Sequence, residues 1–533
     1  MKPIVLTILD GWGVSPGWGG NAIEMQNPEN FNYLWRNYPH LVLRSFFSAN
    51  NARGSLANSE IGHMMIGSGR EIVSDCEYID EQIKSADFIR NAELLKTIDH
   101  AQRYNSDIHL IGMISEGCIH SSYQHLKSLL IFFRRNNFHR VYIHAITDGR
   151  DVEEDSAGIY VKRLTNDLKE IGVGRIASVC GRYFALDRDN HWDRIQKYYK
   201  AVTGSGTESK ALDVKQAVHQ AYNDRISDEF IPPTTIIENG FPVGHIKNND
   251  AVVLTNFRSD RMRELVMALL GIKKFGVFSR PPVNLRICSI LKYHFLEYAG
   301  HNIFPIFNEK EISNTLPELL SKHHINILKV AESEKLAHVT YFFNGGRDEL
   351  FPGEKRNIIK SPDVASFNEK PEMSAGLITE AIKDGVSKNL YGLIVVNYAN
   401  VDEVAHTGDI VATSKAVGAV DTALGTLLKL AEENKITLIV TADHGNGEKM
   451  IGSKYLKESE AYHTYNPVPI ILVDKSMKNA EPDHSDLVSM VAKSNYSLTN
   501  IAPTILDIFN IKQPPEMSGK SLLAVLKSQQ GVK

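Results

Sequence analysis

Cysteine is scarce in this sequence: Cys76, Cys118, Cys180 and Cys288 are all there is among 533 residues, and no two form a C-x-x-C pair. That argues against both a zinc–thiolate site and a disulfide framework, and fits a reducing, cytoplasmic setting. Long apolar runs are missing too. None approaches the roughly 18 residues that a membrane span needs. The opening MKPIVLTILD has a short apolar run, but Asp10 and Trp12 follow at once with no small-residue cleavage site, so it reads as a buried strand rather than a leader. An excess of charge of one sign is also absent. The formal net charge of -4 gives no global pull toward nucleic acid or an acidic membrane. There is no internal repeat and no low-complexity tract. Domains usually run about 100–200 residues, so two or three are expected.

What is present is an alternation of short apolar runs with amphipathic stretches. Ile4–Leu9 runs into Asp10-Gly11, Leu393–Val396 into Asn397, and Ile436–Val440 into Thr441-Ala442-Asp443-His444-Gly445. Each has strand length and ends in turn chemistry. Within Thr413–Glu433, Val417, Val420, Leu424 and the pair Leu427/Leu428 recur at helical spacing. Strand alternating with helix predicts an α/β fold with a mainly parallel, doubly wound sheet. Ligands of such sheets sit beyond the carboxyl ends of the strands, where all three polar terminations fall. A second strand–helix rhythm runs through the middle: Ile108–Ile114, Leu126–Arg135, Val141–Ile146, Ala157–Ile171 and Ile176–Val179. The stretch Lys273–Pro282, with Gly276 and Pro281-Pro282, interrupts it before strand-like residues resume. Crossings are expected near residues 76 and 310. Residues 1–75 and 310–533 then form one discontinuous domain, and residues 76–309 a second α/β domain inserted into it.

Asp402 and His406 stand four apart, so on a helical turn they share a side. A carboxylate and an imidazole so placed can chelate one divalent cation, although a solvated helix face reads equally well from these two residues. Asp443-His444 follows a strongly apolar run and precedes Gly445-Asn446-Gly447, where adjacent side chains can splay onto a metal or simply end a strand. Asp10, before Gly11-Trp12-Gly13, has the same two readings, and His463 alone is uninformative. Taken together, three carboxylates and three histidines supply enough ligands for two divalent ions without cysteine. Mixed oxygen and nitrogen donors suit manganese or zinc better than magnesium. Paired metals about 3.5–4 Å apart clamp the attacking and leaving oxygens of phosphoryl transfer.

Leu56-Ala57-Asn58-Ser59-Glu60-Ile61-Gly62-His63, leading into Ile66-Gly67-Ser68-Gly69-Arg70, resembles the nucleophile segment of cofactor-independent phosphoglycerate mutases of the alkaline phosphatase superfamily. The same family's motifs are matched in order elsewhere. They are Leu9-Asp10-Gly11-Trp12-Gly13, Thr147-Asp148-Gly149-Arg150-Asp151, Gly181 to Asp189, Asn256 to Arg261, Ala331 to Lys335, Asp402 to Gly408, Thr441 to Asn446 and His463 to Pro469. The resemblance implies an alkaline-phosphatase-like metal domain carrying an inserted transferase domain. It implies Asp402, His406 and His463 as ligands of one metal, and Asp10, Ser59, Asp443 and His444 as ligands of the other. The metals would be manganese first, with zinc or cobalt as alternatives. Ser59 would take the phosphoryl group from one hydroxyl of 3-phosphoglycerate and return it to the neighbouring one, giving 2-phosphoglycerate in glycolysis or gluconeogenesis without bisphosphoglycerate.

A substrate bearing both phosphate and carboxylate needs several cations, and arginine forks match both groups. The resemblance assigns that clamp to Arg150, Arg182, Arg188, Arg258 and Arg261 with Lys335. His120 is matched to a substrate-contacting histidine and Asp151 to a carboxylate that contacts the glycerate hydroxyls and moves protons between them. Some positions depart from the family pattern. Val152-Glu153-Glu154 stand where prolines are usual, Ala57 and Ala405 replace glycines, Glu116-Gly117-Cys118 replaces aspartate-glycine-glycine, and Ser48–Ser55 is short. None removes a presumed catalytic side chain.

Three other readings compete. A metal-dependent phosphatase or phosphodiesterase shares the metal logic but does not require the clamp. A phosphopentomutase is opposed by the serine nucleophile and the arginines. A non-catalytic metal-binding descendant would be expected to lack a ligand or the nucleophile. The family implies a monomer acting on a small molecule, with neither nucleic acid nor membrane as partner. A mutase must keep glycerate bound while the serine carries the phosphoryl group, so the inserted domain is expected to close over the site. Small-angle scattering should record a more compact particle with saturating phosphoglycerate, and an unchanged profile would count against closure.

Overall fold

The computed structural model describes residues 2–15, 20–45, 58–206, 209–272, 281–293, 303–308, 312–364, 366–451, 463–478 and 495–529. The chain divides into two compact units, Met1–Ile72 with Glu311–Lys533, and Val73–Lys310. Ala57, Ser48–Ser55 and most of Lys273–Pro282 lie outside the described residues.

In the first unit, Ile4–Leu9 is buried along its whole length, as a strand covered on both faces must be. It pairs in parallel with Leu393–Tyr398 on one side and Thr437–Thr441 on the other. The sheet runs Glu354–Ile359, Ile327–Glu332, Leu393–Tyr398, Ile4–Leu9, Thr437–Thr441, Val468–Val473, His40–Leu43. The first five strands are parallel, Val468–Val473 runs antiparallel to them, and His40–Leu43 pairs antiparallel to Val468–Val473 and so runs with the first five. The connections after Ile327–Glu332 and Leu393–Tyr398, neighbours in the sheet, leave toward opposite edges, to Glu354–Ile359 and to Thr437–Thr441. That is a topological switch point, which opens a crevice at the carboxyl ends of the strands. The helix between Leu393–Tyr398 and Thr437–Thr441 spans Ile410–Glu432 and buries Val417, Val420, Leu424, Leu427 and Leu428. It starts three residues before the apolar spacing predicts because the Asp409 carboxylate caps it, accepting from the amides of Val411 and Ala412.

The second unit holds a nine-stranded sheet. Ile303–Pro305, Arg286–Ser289, Ala251–Leu254, Ile108–Met113, Val141–Thr147 and Arg175–Gly181 run parallel in that order. Thr234–Glu238 then pairs antiparallel to Arg175–Gly181 and carries Ser209–Ala211 and Phe241–Pro242. Helix Ala157–Ile171 has the predicted bounds, while Tyr123–Arg135 begins a turn earlier than its apolar spacing. Both sheets are α/β, as expected. One expectation is corrected: Cys76 and Cys118 form a disulfide, with Cα atoms 5.8 Å apart across 42 residues. The fold folds the start of helix Asp75–Lys84 back beside the loop after Ile108–Met113, a proximity that residue spacing does not encode. Cys180 and Cys288 are free and buried.

Strand Ile327–Glu332 buries a lysine. The Lys329 ammonium donates to Asn344 and lies 3.3 Å from Glu354 Oε1, whose own second partner is Arg356 at 2.8 Å. Burial outweighs the attraction of Glu354 and brings the lysine down to about 7. The unfolded chain therefore holds this proton more tightly than the folded one, and stability rises as pH climbs from 7 toward the ordinary lysine value. Relative to Lys329→Met, the unchanged protein should gain thermal stability between pH 7 and 9, measured by paired melts; parallel curves would mean that Lys329 keeps its ordinary proton affinity.

Candidate active site

Each side chain of the metal constellation leaves the first sheet at its carboxyl edge. Asp10 follows Ile4–Leu9, Asp402 sits in the short helix Asn400–Ala405 after Leu393–Tyr398, and Asp443-His444 follow Thr437–Thr441. Two glycines allow the approach. A Cβ on Gly11, at φ +75°, would stand 2.8 Å from the Asp402 Cα, and one on Gly62 would stand 2.8 Å from the Asp443 Cβ. Ser59 is the first residue of helix Ser59–Ser68, whose N-cap Asn58 accepts from the amide of Ile61. A helix N-terminus presents free amides and a partial positive charge to an anion.

The predicted ligands converge. Ser59 Oγ lies 2.9 Å from His444 Nε2 and 3.2 Å from Asp10 Oδ1. His406 and His463 meet at 3.0 Å through their Nε2 atoms, and these lie 3.4 and 3.3 Å from Asp402 Oδ1. Two groups, Asp10/Asp443/His444 and Asp402/His444/His463, each place ligand atoms within 4.8 Å of one another. His444 therefore stands between both groups, whereas the sequence assigned it to one. Spacings near 3 Å match ligands about 2.0–2.2 Å from a shared divalent ion. The donor set fits such ions on electrostatic grounds as well. Asp10, Asp402 and Asp443 are all buried, Asp443 Oδ2 has no hydrogen-bond donor, and a single ammonium, Lys335, stands among them.

Lys335 is the predicted clamp residue whose surroundings differ most from expectation. It lies in the first unit, buried, with Nζ 2.7 Å from Asp402, 3.1 Å from Asp10, 3.2 Å from Ser59 Oγ and 3.3 Å from Glu403. Burial opposes its charge, but Asp10, Asp402, Glu403 and Asp443 hold it well above the ordinary lysine value. Asp402 is held well below the usual carboxylate range by Lys335 and the neighbouring histidines, against its burial. Asp443 is also depressed, by His444, His63 and Lys335 against its burial. Asp10 goes the other way, to about 7, because burial and the Asp443 charge exceed the pull of Lys335.

Other buried groups orient these ligands, and sequence reasoning gave them no role. Asn397 donates to Asp10 Oδ2 at 2.7 Å and lies 3.0 Å from His63 Nε2, whose other nitrogen is 3.3 Å from Asp443. Asn446 donates to Asp402 Oδ1 at 2.9 Å. Glu448 accepts from the Gly13 amide, Thr464 and Asn466, tying the segments around Asp10 and His463 together. The available signal was the polar end of strand Leu393–Tyr398 at Asn397.

The second unit gathers the remaining clamp residues at the carboxyl ends of its parallel strands. His120 follows Ile108–Met113, Arg150 and Asp151 follow Val141–Thr147, Arg182 and Arg188 follow Arg175–Gly181, and Arg258 and Arg261 follow Ala251–Leu254. Arg182 is buried and bridges Asp148 and Asp151, both at 2.7 Å, and His120 Nε2 lies 3.8 Å from Asp151. Asp260, another residue without a prior role, sits 3.0 Å from Arg188 and 3.9 Å from Arg258. Arg150 and Arg188 are half exposed. The cations press on one another. Burial together with Arg188 and Arg182 lowers Arg261 to about 10, and burial with Arg258, Arg182, Arg261 and Arg188 keeps His120 far below its ordinary value and hence neutral.

Two family models match the chain. One, described as BPG-independent PGAM N-terminus, matches residues 79–295; the other, type I phosphodiesterase / nucleotide pyrophosphatase, matches residues 332–500. The 2,3-bisphosphoglycerate-independent phosphoglycerate mutase of Acetivibrio thermocellus is 39% identical over 523 residues, covering 98% of this chain and 99% of that one. That of Clostridium perfringens strain 13 matches with the same identity and coverage. Among solved structures, a Leishmania mexicana phosphoglycerate mutase at low cobalt concentration is similar, with TM-score 0.75, 26% identity and 97% of each chain covered.

Removing the amide that holds Asp10 should loosen one metal group without unfolding the sheet. Asn397→Ala is expected to weaken divalent-ion affinity about 10–100-fold, the usual cost of losing a group that orients a ligand. Metal retained after dialysis against graded chelator reads this directly, and retention equal to the unchanged protein would show Asn397 to be dispensable.

Proposed function

Because the chain belongs to the family of 2,3-bisphosphoglycerate-independent phosphoglycerate mutases, and so interconverts 3- and 2-phosphoglycerate, we propose that Ser59 carries the phosphoryl group between the two positions. The observation that supports this most is the surroundings of Ser59 Oγ, within 3.2 Å of His444, Asp10 and Lys335 at the start of a helix. In the first half-reaction Ser59 Oγ gives up its proton and bonds to phosphorus, and the bond to the glycerate oxygen breaks with the electron pair staying on that oxygen. In the second, the neighbouring hydroxyl attacks the phosphoserine while its proton passes to the oxygen that lost phosphorus, and Ser59 Oγ leaves with the electron pair and regains a proton. Lys335, held charged by the carboxylates around it, offers a fixed cation beside the serine oxygen.

Asp402, His406 and His463 would hold one divalent ion and Asp10, Asp443 and His444 with Ser59 the other, manganese first with zinc or cobalt next; when bound, such ions lower the proton affinity of the serine hydroxyl and offset phosphoryl charge. Arg150, Arg182, Arg188, Arg258 and Arg261, with neutral His120, are the groups that would hold the carboxylate and phosphate of the glycerate. Asp151 would move the proton between its two hydroxyls. Residues 1–75 with 310–533 then serve as the metal-binding part and 76–309 as the substrate-binding part. No helix among the described residues is long and apolar enough to cross a membrane. The reading takes the protein to be a cytoplasmic monomer whose partner is phosphoglycerate itself.

One assay tests this. Isomerisation of 3-phosphoglycerate is followed without bisphosphoglycerate, before and after chelation, with manganese, zinc, cobalt or magnesium restored singly. Activity should vanish on chelation and return best with manganese. Ser59→Ala should lose on the order of 10⁴-fold or more in kcat while part of the metal binding persists. Normal turnover by that variant would remove the phosphoserine route, and stoichiometric phosphate release without isomerisation would make the enzyme a phosphatase.

A further inference from the structure

Asp148 has no part in the reaction as written, yet it is among the most fully engaged carboxylates of the second unit. Its Oδ1 accepts from Arg182 Nη1 at 2.7 Å and from the backbone amides of Arg150 and Asp151 at 3.3 and 3.0 Å, while its Oδ2 accepts from Ser115 Oγ at 2.6 Å. It thus closes the turn that carries Arg150 and Asp151, and it shares one guanidinium nitrogen with Asp151 Oδ2, itself 2.7 Å from Arg182. The packing leaves little slack. Gly117 lies so close that a Cβ there would stand 2.9 Å from the Asp151 Cβ and 3.5 Å from Asp148 Oδ2.

We propose that Asp148 is a positioning residue for proton transfer: by closing the Asp151 turn and taking a share of Arg182, it keeps Asp151 both in place and basic enough to accept a proton from a glycerate hydroxyl. This rests on the reading of Asp151 as the proton-moving group. In that step the hydroxyl O–H bond breaks, the electron pair stays on the glycerate oxygen, and the proton passes to the Asp151 carboxylate. The same proton is then returned to the oxygen that has lost phosphorus, so the cycle is neutral overall. A carboxylate gripped by an undivided guanidinium is a weak base, because the charged form is stabilised twice over, by charge and by hydrogen bond. A second carboxylate on the same guanidinium halves that grip and adds a like charge at close range. The charged and titratable groups around the pair are Arg182, Arg150 and His120 about Asp151, and Tyr160 on helix Ala157–Ile171, which feels the Asp148 charge, with the ion pair Glu116–Arg163 nearby. Burial and Asp148 raise Asp151 above the usual carboxylate value against the pull of Arg182, in keeping with this role.

The hydrogen-bond pattern supplies a clean test. In Asp148→Asn the amide oxygen can keep the place of Oδ1 and its three donors, while the amide nitrogen replaces Oδ2 and donates to Ser115, whose hydroxyl turns to accept. Geometry is preserved and only the charge is lost. With saturating manganese, Asp148→Asn should move the acid limb of the kcat profile to lower pH by about one unit, the scale of a lost neighbouring charge. Its plateau kcat should fall severalfold with KM within about twofold, since a weaker base transfers protons less effectively. Asp148→Ala, which also frees the turn, should raise KM in addition. Asp151→Asn separates the two layers of the argument. If Asp151→Asn collapses kcat while Asp148→Asn superposes on the unchanged profile, the positioning role is wrong and the reading of Asp151 stands. If Asp151→Asn keeps full kcat, both are overturned.

Discussion

Three carboxylates in one dry place set the terms for the first unit. Asp10, Asp402 and Asp443 are buried together, and charges of one sign at close range in a low-dielectric surrounding cannot all stay ionised without cations. Lys335 supplies one positive charge, and the opposite shifts of Asp10 and its two neighbours record how far one falls short. The rest of the unit is arranged around that demand. The three acids come from the carboxyl ends of adjacent strands, so Ile4–Leu9 must lie between strands from the last third of the chain. Gly11 and Gly62 must lack side chains for the backbone to come close enough. Asn397 and Asn446 then fix the direction of Asp10 and Asp402, so that little reorganisation of these two remains when divalent ions arrive.

The second unit is the electrostatic converse. Burial with Arg188 and Arg182 lowers the proton affinity of Arg261, and burial with Arg258, Arg182, Arg261 and Arg188 keeps His120 neutral. Asp148, Asp151 and Asp260 offset part of that charge and hold the guanidinium groups in fixed orientations. A neutral imidazole among arginines can donate one hydrogen bond and accept another, which suits a hydroxyl-bearing anion better than a second fixed cation would. One unit gathers buried acids and the other gathers arginines, as suits a metal-dependent enzyme acting on a phosphorylated acid.

The strands were legible because buried parallel strands read as unbroken apolar runs, and because each of Ile4–Leu9, Leu393–Tyr398 and Thr437–Thr441 ends in a polar residue at the sheet edge. The candidate ligands Asp10, Asp443 and His444 were visible for the same reason, and Asp402 through its four-residue spacing from His406. His463 and Ser59 were not, since a lone histidine and a serine in a turn mean nothing until a family pattern or a fold supplies their neighbours. Lys335 was visible as a cation but not as the counter-charge of the acids, a role that depends on how strand Ile327–Glu332 lies in the sheet. The Cys76–Cys118 bridge, Glu448 and the shared position of His444 depend on contacts between residues far apart in the chain, and neither spacing nor composition records these.

What separates a mutase from a hydrolase in this chain is where the two family models divide it. The phosphodiesterase model spans residues 332–500 and contains Lys335, Asp402, His406, Asp443, His444 and His463, the groups proposed to act on phosphorus. The mutase model spans residues 79–295 and contains His120, Asp151 and the five arginines, the groups that suit the rest of the substrate. Phosphoryl chemistry on its own ends in hydrolysis, because water is always the most abundant acceptor. Returning the group to a neighbouring oxygen requires that the dephosphorylated acid stay bound through its carboxylate and hydroxyls, and that one of those hydroxyls lose its proton at the right moment. The first requirement calls for several arginines with fixed geometry, and the second for a base whose strength is set by its surroundings. Asp151, which shares a single guanidinium nitrogen with Asp148, is the group proposed to meet that second requirement, and on that proposal the distinction between the two reaction types lies in the second unit.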